Sequence, residues 1–306
     1  MNIAINIDKK YVNIAACMLF SLTVNNNDNI CIYVLNTDLD VMDFEILNKN
    51  LQQYSNRVEI FDIKVNDDIF PSSISKLTKR WSKAVFYRLL VCKLLPESID
   101  RLLYLDTDII INSDIAELYN IDFDNNYIVA CEDTNVNKNY QNDIRINLKT
   151  TTIYFNSGVI LFNLEEIRKK NILTPENISN VLNKYKNILF PDQDVLNILF
   201  ENKTKLVDFR VYNFLCSKSR YTEKELKKFS KKAKIFHYGG DGFQRPWNYY
   251  YVGRFGNVFL KYAKETSLKD SKEIEWKINK LIRPVLIPIY YIRINILKIK
   301  DRMKGL

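Results

Sequence analysis

The sequence predicts an α/β fold in which a mostly parallel mixed sheet is flanked by helices. Short apolar runs of the kind that form buried strands alternate with longer helical patterns along the chain. Polar residues directly follow several of these runs, at the position where ligands bind in parallel sheets. Gly and Pro number only 7 each, which excludes collagen-like and low-complexity chains.

The strands are predicted from short apolar runs bounded by polar residues. In the first run Ile3, Ile5 and Ile7 alternate with other residues, so one face of the strand is apolar. Most of the later runs are more continuously apolar, which is typical of buried strands, whereas Val58–Ile63 contains Glu59 and Asp62. The later runs are Ile30–Leu35, Val58–Ile63, Leu102–Leu105, Tyr127–Cys131, Val159–Phe162 and Ile235–Tyr238.

Longer apolar patterns between these strands predict helices. The segment Ser82–Leu95 is strongly apolar, and we expect Pro96 to end its helix. The other predicted helices are Tyr11–Leu22, Val41–Tyr54, Pro175–Lys186 and Asp194–Phe200.

The net charge of +9 is concentrated near the C-terminus. Residues 277–304 hold eight cations and one anion, a net charge of +7 that leaves +2 for the rest of the chain. A nucleic-acid binder would spread its cations over a groove or a recognition element, so no nucleic-acid partner is expected. We therefore predict a main domain over residues 1–270 and a basic amphipathic tail over residues 271–306.

The tail is predicted to be helical, with its apolar residues on one stripe and cations beside it. A basic amphipathic helix suits an anionic membrane surface. A partner helix, a short coiled coil and packing on the main domain are the alternatives. The apolar stripe consists of Ile289, Ile292, Ile296, Ile299 and Met303.

The cysteines indicate a reducing compartment. They are five in number, far apart and without a CxxC pair, and they lie in apolar runs. The N-terminal residues enter a strand-like run without the basic and apolar regions of a signal peptide. We therefore expect a cytoplasmic protein that its tail holds on the inner face of the membrane.

The strongest local feature is an apolar strand that runs into two carboxylates, Asp106 and Asp108. Residues i and i+2 of an extended backbone point to the same side, so both carboxylates could reach one divalent cation. Carboxylate oxygens suit hard cations such as Mg²⁺ and Mn²⁺. The alternative is an ordinary turn or cap after a strand.

The only histidine, His237, ends a predicted strand and precedes a cluster of glycines. It could be a single nitrogen ligand beside the two aspartates, or a packed residue of the core. Three of the seven glycines lie within positions 239–242, which suggests a close backbone approach or a special turn. The loop is compatible with a phosphate site in which Arg245 supplies a cation, and equally with a simple tight turn.

Three further segments place polar residues beside predicted elements. Asn156-Ser157-Gly158 precedes a predicted strand. Asp192-Gln193-Asp194 opens a helix, where either aspartate could simply be the N-cap. Arg88 lies in the apolar helix, where it requires an anionic partner unless it faces solvent with the lysines nearby.

Taken in order, these motifs resemble glycosyltransferase family 8, a group of retaining nucleotide-sugar transferases that includes glycogenin and bacterial lipopolysaccharide galactosyl- and glucosyltransferases. The resemblance implies a GT-A nucleotide-binding fold over residues 1–270. It also implies a metal-dependent hexosyltransferase that moves galactose or glucose from a UDP-sugar to a glycan or a lipid-linked saccharide. It covers Met1–Ala263 and rests on Asp8-x-x-Tyr11, Tyr87-Arg88, Leu103–Asp108, Tyr154–Val159, Asp192–Asn197 and His237-x-x-Gly240.

The resemblance also implies a role for individual residues. Asp106, Asp108 and His237 match the family's ligands of a metal, usually Mn²⁺, with Mg²⁺ as the alternative. The residues that match the donor-binding positions, with Tyr11 placed to stack on the uracil, are Asn6, Asp8, Tyr11, Arg88, Asp106, Thr107, Asp108, Gly240 and Arg245. Those that match positions around the transferred sugar, with Gln193 near the anomeric carbon, are Asp133, Asn156, Asp192 and Gln193.

The sequence departs from the family pattern in the loop after His237. The family ends this motif with HxxGxxKPW, whereas here the loop is two residues longer and Arg245 replaces the lysine. Arg can still clamp a diphosphate through its planar fork. At the nucleotide, Asn6 replaces a smaller residue and Lys10 replaces a polar one.

The chemistry expected of such a site is charge neutralisation on the leaving diphosphate, by a divalent metal and by Arg88 and Arg245. Retention can use a covalent intermediate on Asp192, or attack by the acceptor from the leaving-group face. Gln193 is a poor nucleophile, which favours the same-face route. The alternative function is a non-catalytic protein that binds a membrane or a polyanion on a degenerate transferase scaffold.

Overall fold

A seven-stranded sheet forms the centre of the protein in a computed structural model. The structure describes residues 1–66, 69, 74, 83–216, 222–240, 242–248, 250–270, 282, 284–293 and 296. The strand order is β3-β2-β1-β4-β7-β6-β8. These strands are β1 (Asn2–Asn6), β2 (Ile30–Asn36), β3 (Val58–Lys64), β4 (Arg101–Leu105), β6 (Ile128–Glu132), β7 (Phe155–Asn163) and β8 (Thr204–Val207).

One strand of the large sheet runs against the others. β7 is antiparallel to both of its neighbours, β4 and β6, and the other paired strands are parallel. The predicted mostly parallel mixed sheet is therefore confirmed. The carboxyl ends of β1, β4 and β6 share one edge of the sheet with the beginning of β7.

A small three-stranded sheet with the order β5-β10-β9 lies beside the large one. Its strands are β5 (Ile109–Ile111), β9 (Phe214–Leu215) and β10 (Ile235–His237). β10 is antiparallel to β5, and their register places His237 opposite Ile109. This pairing joins two parts of the chain that are far apart in sequence.

The helices of the described chain cover both faces of the large sheet. They are α1 (Val12–Asn25), α2 (Val41–Leu51), α3 (Val91–Leu94), α4 (Ala116–Tyr119), α5 (Thr134–Asn139), α6 (Asn142–Ile146), α7 (Leu164–Lys169), α8 (Pro175–Lys184), α9 (Pro191–Leu199), α10 (Phe209–Tyr212), α11 (Glu223–Phe229) and α12 (Gly256–Ala263). Short 3-10 helices span Lys9–Tyr11, Gln52–Tyr54, Lys83–Leu90, Gly242–Gln244 and Ser267–Asp270.

Both faces of the large sheet are buried, which explains why its strands are so apolar. Successive side chains of a strand point to opposite faces. Leu103 and Leu105 accordingly belong to one core cluster, whereas Leu102 and Tyr104 belong to the other. α1 packs against β5, α2 and α12 and is buried along most of its length. A helix that is apolar on nearly all sides is expected in such a position.

Three predicted elements differ from the structure. The apolar helix is a 3-10 helix, Lys83–Leu90, followed by the short α3, and the predicted first residue Ser82 lies outside the described residues. β7 begins at Phe155, so the polar segment Asn156-Ser157-Gly158 lies inside the strand. α9 begins at Pro191, because proline is favoured in the first helical turn.

The tail is partly described. Residues 284–293 are helical, and this helix includes Ile289 and Ile292 of the predicted stripe as well as Pro284 and Pro288, which were expected to precede it. Ile299 and Met303 of the predicted stripe lie outside the described residues. Within the residues described, no helix is both long and apolar enough to cross a membrane.

Candidate active site

The site lies at the edge of the large sheet where β1, β4 and β6 end and β7 begins. Asp106 follows β4 and Asp133 follows β6, whereas Asn156 opens the antiparallel β7. The small sheet adds the histidine, because His237 lies opposite Ile109, next to Asp108. The Tyr238 backbone NH donates to the Asp108 carbonyl oxygen at 2.8 Å and holds this register.

Asp106, Asp108 and His237 each offer one ligand atom, and these atoms lie within 4.8 Å of one another. His237 Nε2 is 3.2 Å from Asp108 Oδ1 and 4.0 Å from Asp106 Oδ2. Two hard oxygens and one imidazole nitrogen are a donor set that suits Mn²⁺ or Mg²⁺. The geometry brings together the three residues predicted to bind a metal.

Asn213 orients the imidazole of His237. Its Nδ2 donates to Asn156 Oδ1 at 2.8 Å, so its Oδ1 is the acceptor 2.7 Å from His237 Nδ1. This contact keeps a proton on Nδ1, so Nε2 is the ring nitrogen directed at the carboxylates. A hydrogen bond of this kind is the usual support of a metal-binding histidine.

Gly158 keeps the space between the three ligand side chains open. A Cβ at this position would lie 2.5 Å from His237 Cε1 and 2.8 Å from Asp106 Oδ2. The Gly158 carbonyl also accepts the Asp106 backbone NH at 2.8 Å. The close approach therefore requires glycine here.

Arg88 is buried against the carboxylates, so the alternative that it faces solvent is wrong. Its Nη2 donates to Asp106 Oδ1 at 2.7 Å, its Nη1 donates to the Ser157 carbonyl at 2.7 Å, and its Nε lies 3.3 Å from Asp192 Oδ2. The Tyr104 hydroxyl donates to the same Asp106 Oδ1 at 3.1 Å. Asp106 therefore uses Oδ1 for these donors and turns Oδ2 toward His237.

The four residues predicted around the sugar form one largely buried network, which Asp192 joins through Ser157. Gln193 Oε1 accepts from Ser157 N at 3.0 Å and from Asn156 Nδ2 at 3.1 Å. Asn156 Nδ2 and Gln193 Nε2 both donate to Asp133 Oδ2, at 3.1 and 3.4 Å. Asp192 accepts from Ser157 Oγ at 2.9 Å. Burial raises the pKa of the Asp192 carboxyl, although the charge of Arg88 opposes this shift.

Neither aspartate of the Asp192-Gln193-Asp194 motif is an N-cap, so that alternative is wrong. The N-cap of α9 is Phe190, which makes no capping hydrogen bond through its side chain. Asp194 instead binds both terminal nitrogens of Arg145 and accepts from the Tyr154 hydroxyl at 2.6 Å.

The loop after His237 reaches the same site. The Arg245 guanidinium lies 6.0 Å from the centre of the Tyr11 ring, and the Trp247 ring packs on Tyr11 at 6.3 Å. Burial raises the pKa of Asp108, but the charges of His237 and Arg245 outweigh burial and lower this pKa overall. Arg245 thus adds positive charge in the surroundings of a ligand of the predicted metal.

The remaining donor-binding predictions fall at this edge of the sheet or in the loop above it. Asp8 caps the first turn by accepting from Lys10 N at 3.0 Å. Asn6 Oδ1 is buried without a hydrogen-bond partner in the described chain, and Thr107 is buried. Gly240 has a φ of +120°, a conformation that favours glycine.

A cavity of about 390 Å³ opens beside Asp8 at the ends of β1 and β2, with Thr37, Asp38 and Tyr87 in its wall. A larger cavity of about 580 Å³ lies between the end of α2 and Ser267, away from the carboxylates and His237. The smaller cavity is lined by Asp8 and by Tyr87, the neighbour of Arg88 in sequence, so it is the candidate for a ligand.

Three supporting residues were missed by sequence reasoning. Tyr104 and Ser157 lie inside motifs that were singled out, but their side chains received no role. Asn213 carries no local signal, since it precedes the two-residue strand β9. Its role depends on the pairing of β9 with β10.

The sequence profile described as Glycosyl transferase family 8 matches residues 2–250, which include the whole of this site. The chain belongs to glycosyl transferase family 8. This family 8 chain is 33% identical over 217 residues to a glycosyltransferase of Haemophilus influenzae, covering 70% of this chain and 63% of that protein, less than two thirds of its length.

Two further comparisons describe this family 8 protein. It is 26% identical over 304 residues to the lipopolysaccharide 1,2-glucosyltransferase of Escherichia coli strain K12, covering 95% of this chain and 87% of that protein. Its structure is similar to the galactosyltransferase LgtC in complex with donor and acceptor sugar analogues. That comparison has a TM-score of 0.72 at 21% identity and covers 91% of this chain and 100% of that chain. The predicted GT-A fold is therefore confirmed.

Proposed function

We propose that this family 8 glycosyltransferase is a metal-dependent, retaining hexosyltransferase that moves galactose or glucose from a UDP-sugar to a glycan or a lipid-linked saccharide. The observation that carries the proposal is the convergence of Asp106, Asp108 and His237 within 4.8 Å, around a space that Gly158 leaves open. The glucosyltransferase and galactosyltransferase names of its relatives support a hexose donor.

The residues present fit a divalent cation, Mn²⁺ or Mg²⁺, held by Asp106 Oδ2, an oxygen of Asp108 and His237 Nε2. When bound, the cation supplies Lewis-acid stabilisation of the charge on the leaving diphosphate. Arg88 acts through Asp106, since its guanidinium is committed to Asp106, Asp192 and Ser157. Arg245 is then a cation available to the diphosphate, and its Nε has no hydrogen-bond partner in the part of the chain described.

The network around Gln193 supports same-face retention. Gln193 Oε1 already accepts from Ser157 N and Asn156 Nδ2, and Asp192 is held by Arg88 and Ser157. The Gln193 amide oxygen is thus already committed, whereas Asp192 is held through Oδ2 and keeps the covalent route as the alternative. In the same-face route the acceptor oxygen bonds to the anomeric carbon as the bond to the diphosphate oxygen breaks. The acceptor proton passes to that leaving oxygen.

The donor nucleoside is assigned to the cavity beside Asp8. This cavity lies at the carboxyl ends of β1 and β2, where nucleotides bind in open α/β sheets. Asn6 ends β1, two residues before Asp8, and its buried Oδ1 lacks a hydrogen-bond donor within the described residues. A nucleobase NH would satisfy such an oxygen.

The test is release of UDP from UDP-galactose and UDP-glucose with Mn²⁺, with Mg²⁺ and with a chelator. We expect release from at least one donor with metal and none with the chelator. Asp108→Asn should abolish release, whereas Asp143→Asn, an exposed aspartate on α6, should leave it unchanged. Failure of both donors to bind, with lipid binding intact, would instead support the non-catalytic alternative.

We also propose that the tail binds an anionic membrane surface and keeps the enzyme peripheral on the inner face of the membrane. Ile289, Ile292 and Ile296 are 48%, 60% and 48% exposed, so the predicted stripe faces away from the domain. Basic residues beside such a stripe contribute about 1 kcal/mol each near an anionic surface. The division into a catalytic domain and a tail remains a prediction.

Cosedimentation with vesicles tests the tail. The Ile289→Ser, Ile292→Ser double variant should lose binding to vesicles that contain anionic lipid, and wild type should bind neutral vesicles weakly. Equal binding of wild type and the double variant would contradict the membrane assignment.

A further inference from the structure

The tail helix, residues 284–293, contacts the loop that follows His237. The ring of Tyr290 lies 5.7 Å from the ring of Phe243, and the Arg293 guanidinium lies 5.3 Å from the same ring. Tyr290 is only 3% exposed, whereas the next residues, Tyr291 and Ile292, are 49% and 60% exposed. The helix therefore meets the domain through Tyr290, and the face that carries Ile292 remains in solvent.

The contacted loop segment leads directly to the proposed donor site. Phe243 lies within the 3-10 helix Gly242–Gln244, and Arg245 follows it immediately. This part of the chain is two residues longer than the family pattern between His237 and the Pro246-Trp247 pair. The longer loop presents an aromatic ring to the tail on one side and a guanidinium to the site on the other.

Gln244, between these two residues, has an unusual environment. It is 4% exposed, and neither its Oε1 nor its Nε2 has a hydrogen-bond partner among the residues described. A buried amide without partners is costly, so a ligand that supplies them is expected. Together with the Arg245 Nε, which also has none there, the loop holds unused donors and an acceptor beside the site.

We propose that Tyr290 of the tail is a positioning residue of the donor site, which acts through Phe243 to hold Gln244 and Arg245 toward the diphosphate of a nucleoside diphosphate donor. Packing of the Tyr290 ring on the Phe243 ring fixes Phe243. Because Gln244 and Arg245 follow Phe243 directly, their backbone is fixed with it. The inference rests on the proposed function, since it assigns a donor to this loop. It gives the tail a role in donor binding that is separate from any membrane.

The experiment measures the affinity of the full chain for UDP with Mn²⁺ in solution, and the KM and kcat for the UDP-sugar. Tyr290→Ala should weaken UDP binding about 3- to 10-fold, the effect of one lost aromatic pair, and raise KM with little change in kcat. Tyr290→Phe should rescue binding, because it keeps the ring. Ile292→Ala removes an exposed side chain from the same helix and should bind UDP as wild type does.

A double-mutant cycle separates positioning from general damage to the fold. Phe243→Ala should weaken UDP binding as Tyr290→Ala does, and the double variant should be no weaker than either single variant. Two results would overturn the inference while leaving the proposed function intact. One is a loss of UDP affinity in the double variant that equals the sum of the single losses, and the other is unchanged UDP affinity in Tyr290→Ala. Absence of metal-dependent UDP binding by wild type would overturn the proposed function and the inference together.

Discussion

Two buried clusters of this protein contain the same three residue types, arginine, tyrosine and aspartate, yet they differ in what they leave open. The support cluster consists of Arg145, Tyr154 and Asp194. Its Asp194 is 0% exposed, and both carboxylate oxygens accept hydrogen bonds from the two partner side chains. Oδ2 also accepts from two backbone NH groups, those of residues 189 and 190.

The site cluster consists of Arg88, Tyr104 and Asp106. Here the arginine and the tyrosine both donate to Oδ1, and Oδ2 faces His237 at 4.0 Å. A carboxylate that has used its lone pairs can only stabilise the fold, whereas one with an unused oxygen can bind a cation. The number of hydrogen-bond donors around each aspartate therefore separates a structural cluster from a functional one.

The largest expected effect is on stability, from Asp194→Asn. The substitution leaves the buried Arg145 without its charged partner, which costs about 3–5 kcal/mol. Urea unfolding of wild type and variant measures the loss. The matched control is Asp143→Asn, two residues before Arg145 on the same helix. Asp143 is exposed, so this substitution should change the free energy of unfolding little. A loss for Asp194→Asn as small as the control's would contradict the assignment of this cluster.

Asp106→Asn should affect activity more than stability. Arg88 keeps Asp192 and Ser157 as partners, so unfolding changes less than in Asp194→Asn. Loss of a charged metal ligand should reduce metal-dependent UDP release roughly 100-fold, or about 2.7 kcal/mol. Mn²⁺ titration and UDP release measure this effect. If Asp194→Asn, still folded at low temperature, lost Mn²⁺ affinity to the same extent, the distinction between the clusters would be wrong.

A smaller effect is expected from Asn213→Ala. The variant removes the acceptor 2.7 Å from His237 Nδ1, so the imidazole loses its fixed tautomer and orientation. Loss of such a support reduces metal affinity by about 10-fold or more. Mn²⁺ binding followed by electron paramagnetic resonance measures it. Asn183→Ala, at an exposed position of α8, is the control, and an equal response of the two variants would argue against the role of Asn213.

Much of the fold was predictable because its central strands are buried on both faces. Apolar runs, alternating in β1 and β3 and continuous in β2, β4 and β6, predicted these strands to within a residue or two. The short strands β5, β8 and β9 were not predicted, since Thr204–Val207 is only partly buried and β9 has two residues. Such short strands are stabilised by pairing with the adjacent strands, and their own sequences show little apolar pattern.

The site was predictable where its residues are neighbours in sequence. The spacing of Asp106 and Asp108 allowed a shared cation but did not separate it from an ordinary turn, and the nearness of His237 depends on the pairing of β5 with β10. The family resemblance supplied that third residue. Local spacing did not separate Asp192, which meets Arg88 at the site, from Asp194, which is saturated in the support cluster.

The last prediction compares the two clusters by removing the tyrosine hydroxyl from each. Burial raises the pKa of both Tyr104 and Tyr154 well above the usual range, so both hydroxyls stay protonated and donate to their aspartates. Tyr154→Phe should lower the free energy of unfolding by about 1 kcal/mol, because Asp194 is out of reach of water. Tyr104→Phe should cost less, since the Asp106 side chain is 22% exposed and water can replace the hydroxyl.

For Mn²⁺ affinity the order of the two variants is reversed, because Tyr104→Phe should have the larger effect. Tyr104→Phe frees Asp106 Oδ1 from one of its two donors and loosens a metal ligand, so Mn²⁺ binding should weaken. Tyr154→Phe should leave Mn²⁺ binding unchanged, because all oxygens of Asp194 remain committed to Arg145 and the backbone. If both variants lost stability and Mn²⁺ affinity together, the clusters would be one coupled unit, and counting donors around each aspartate would not separate their roles.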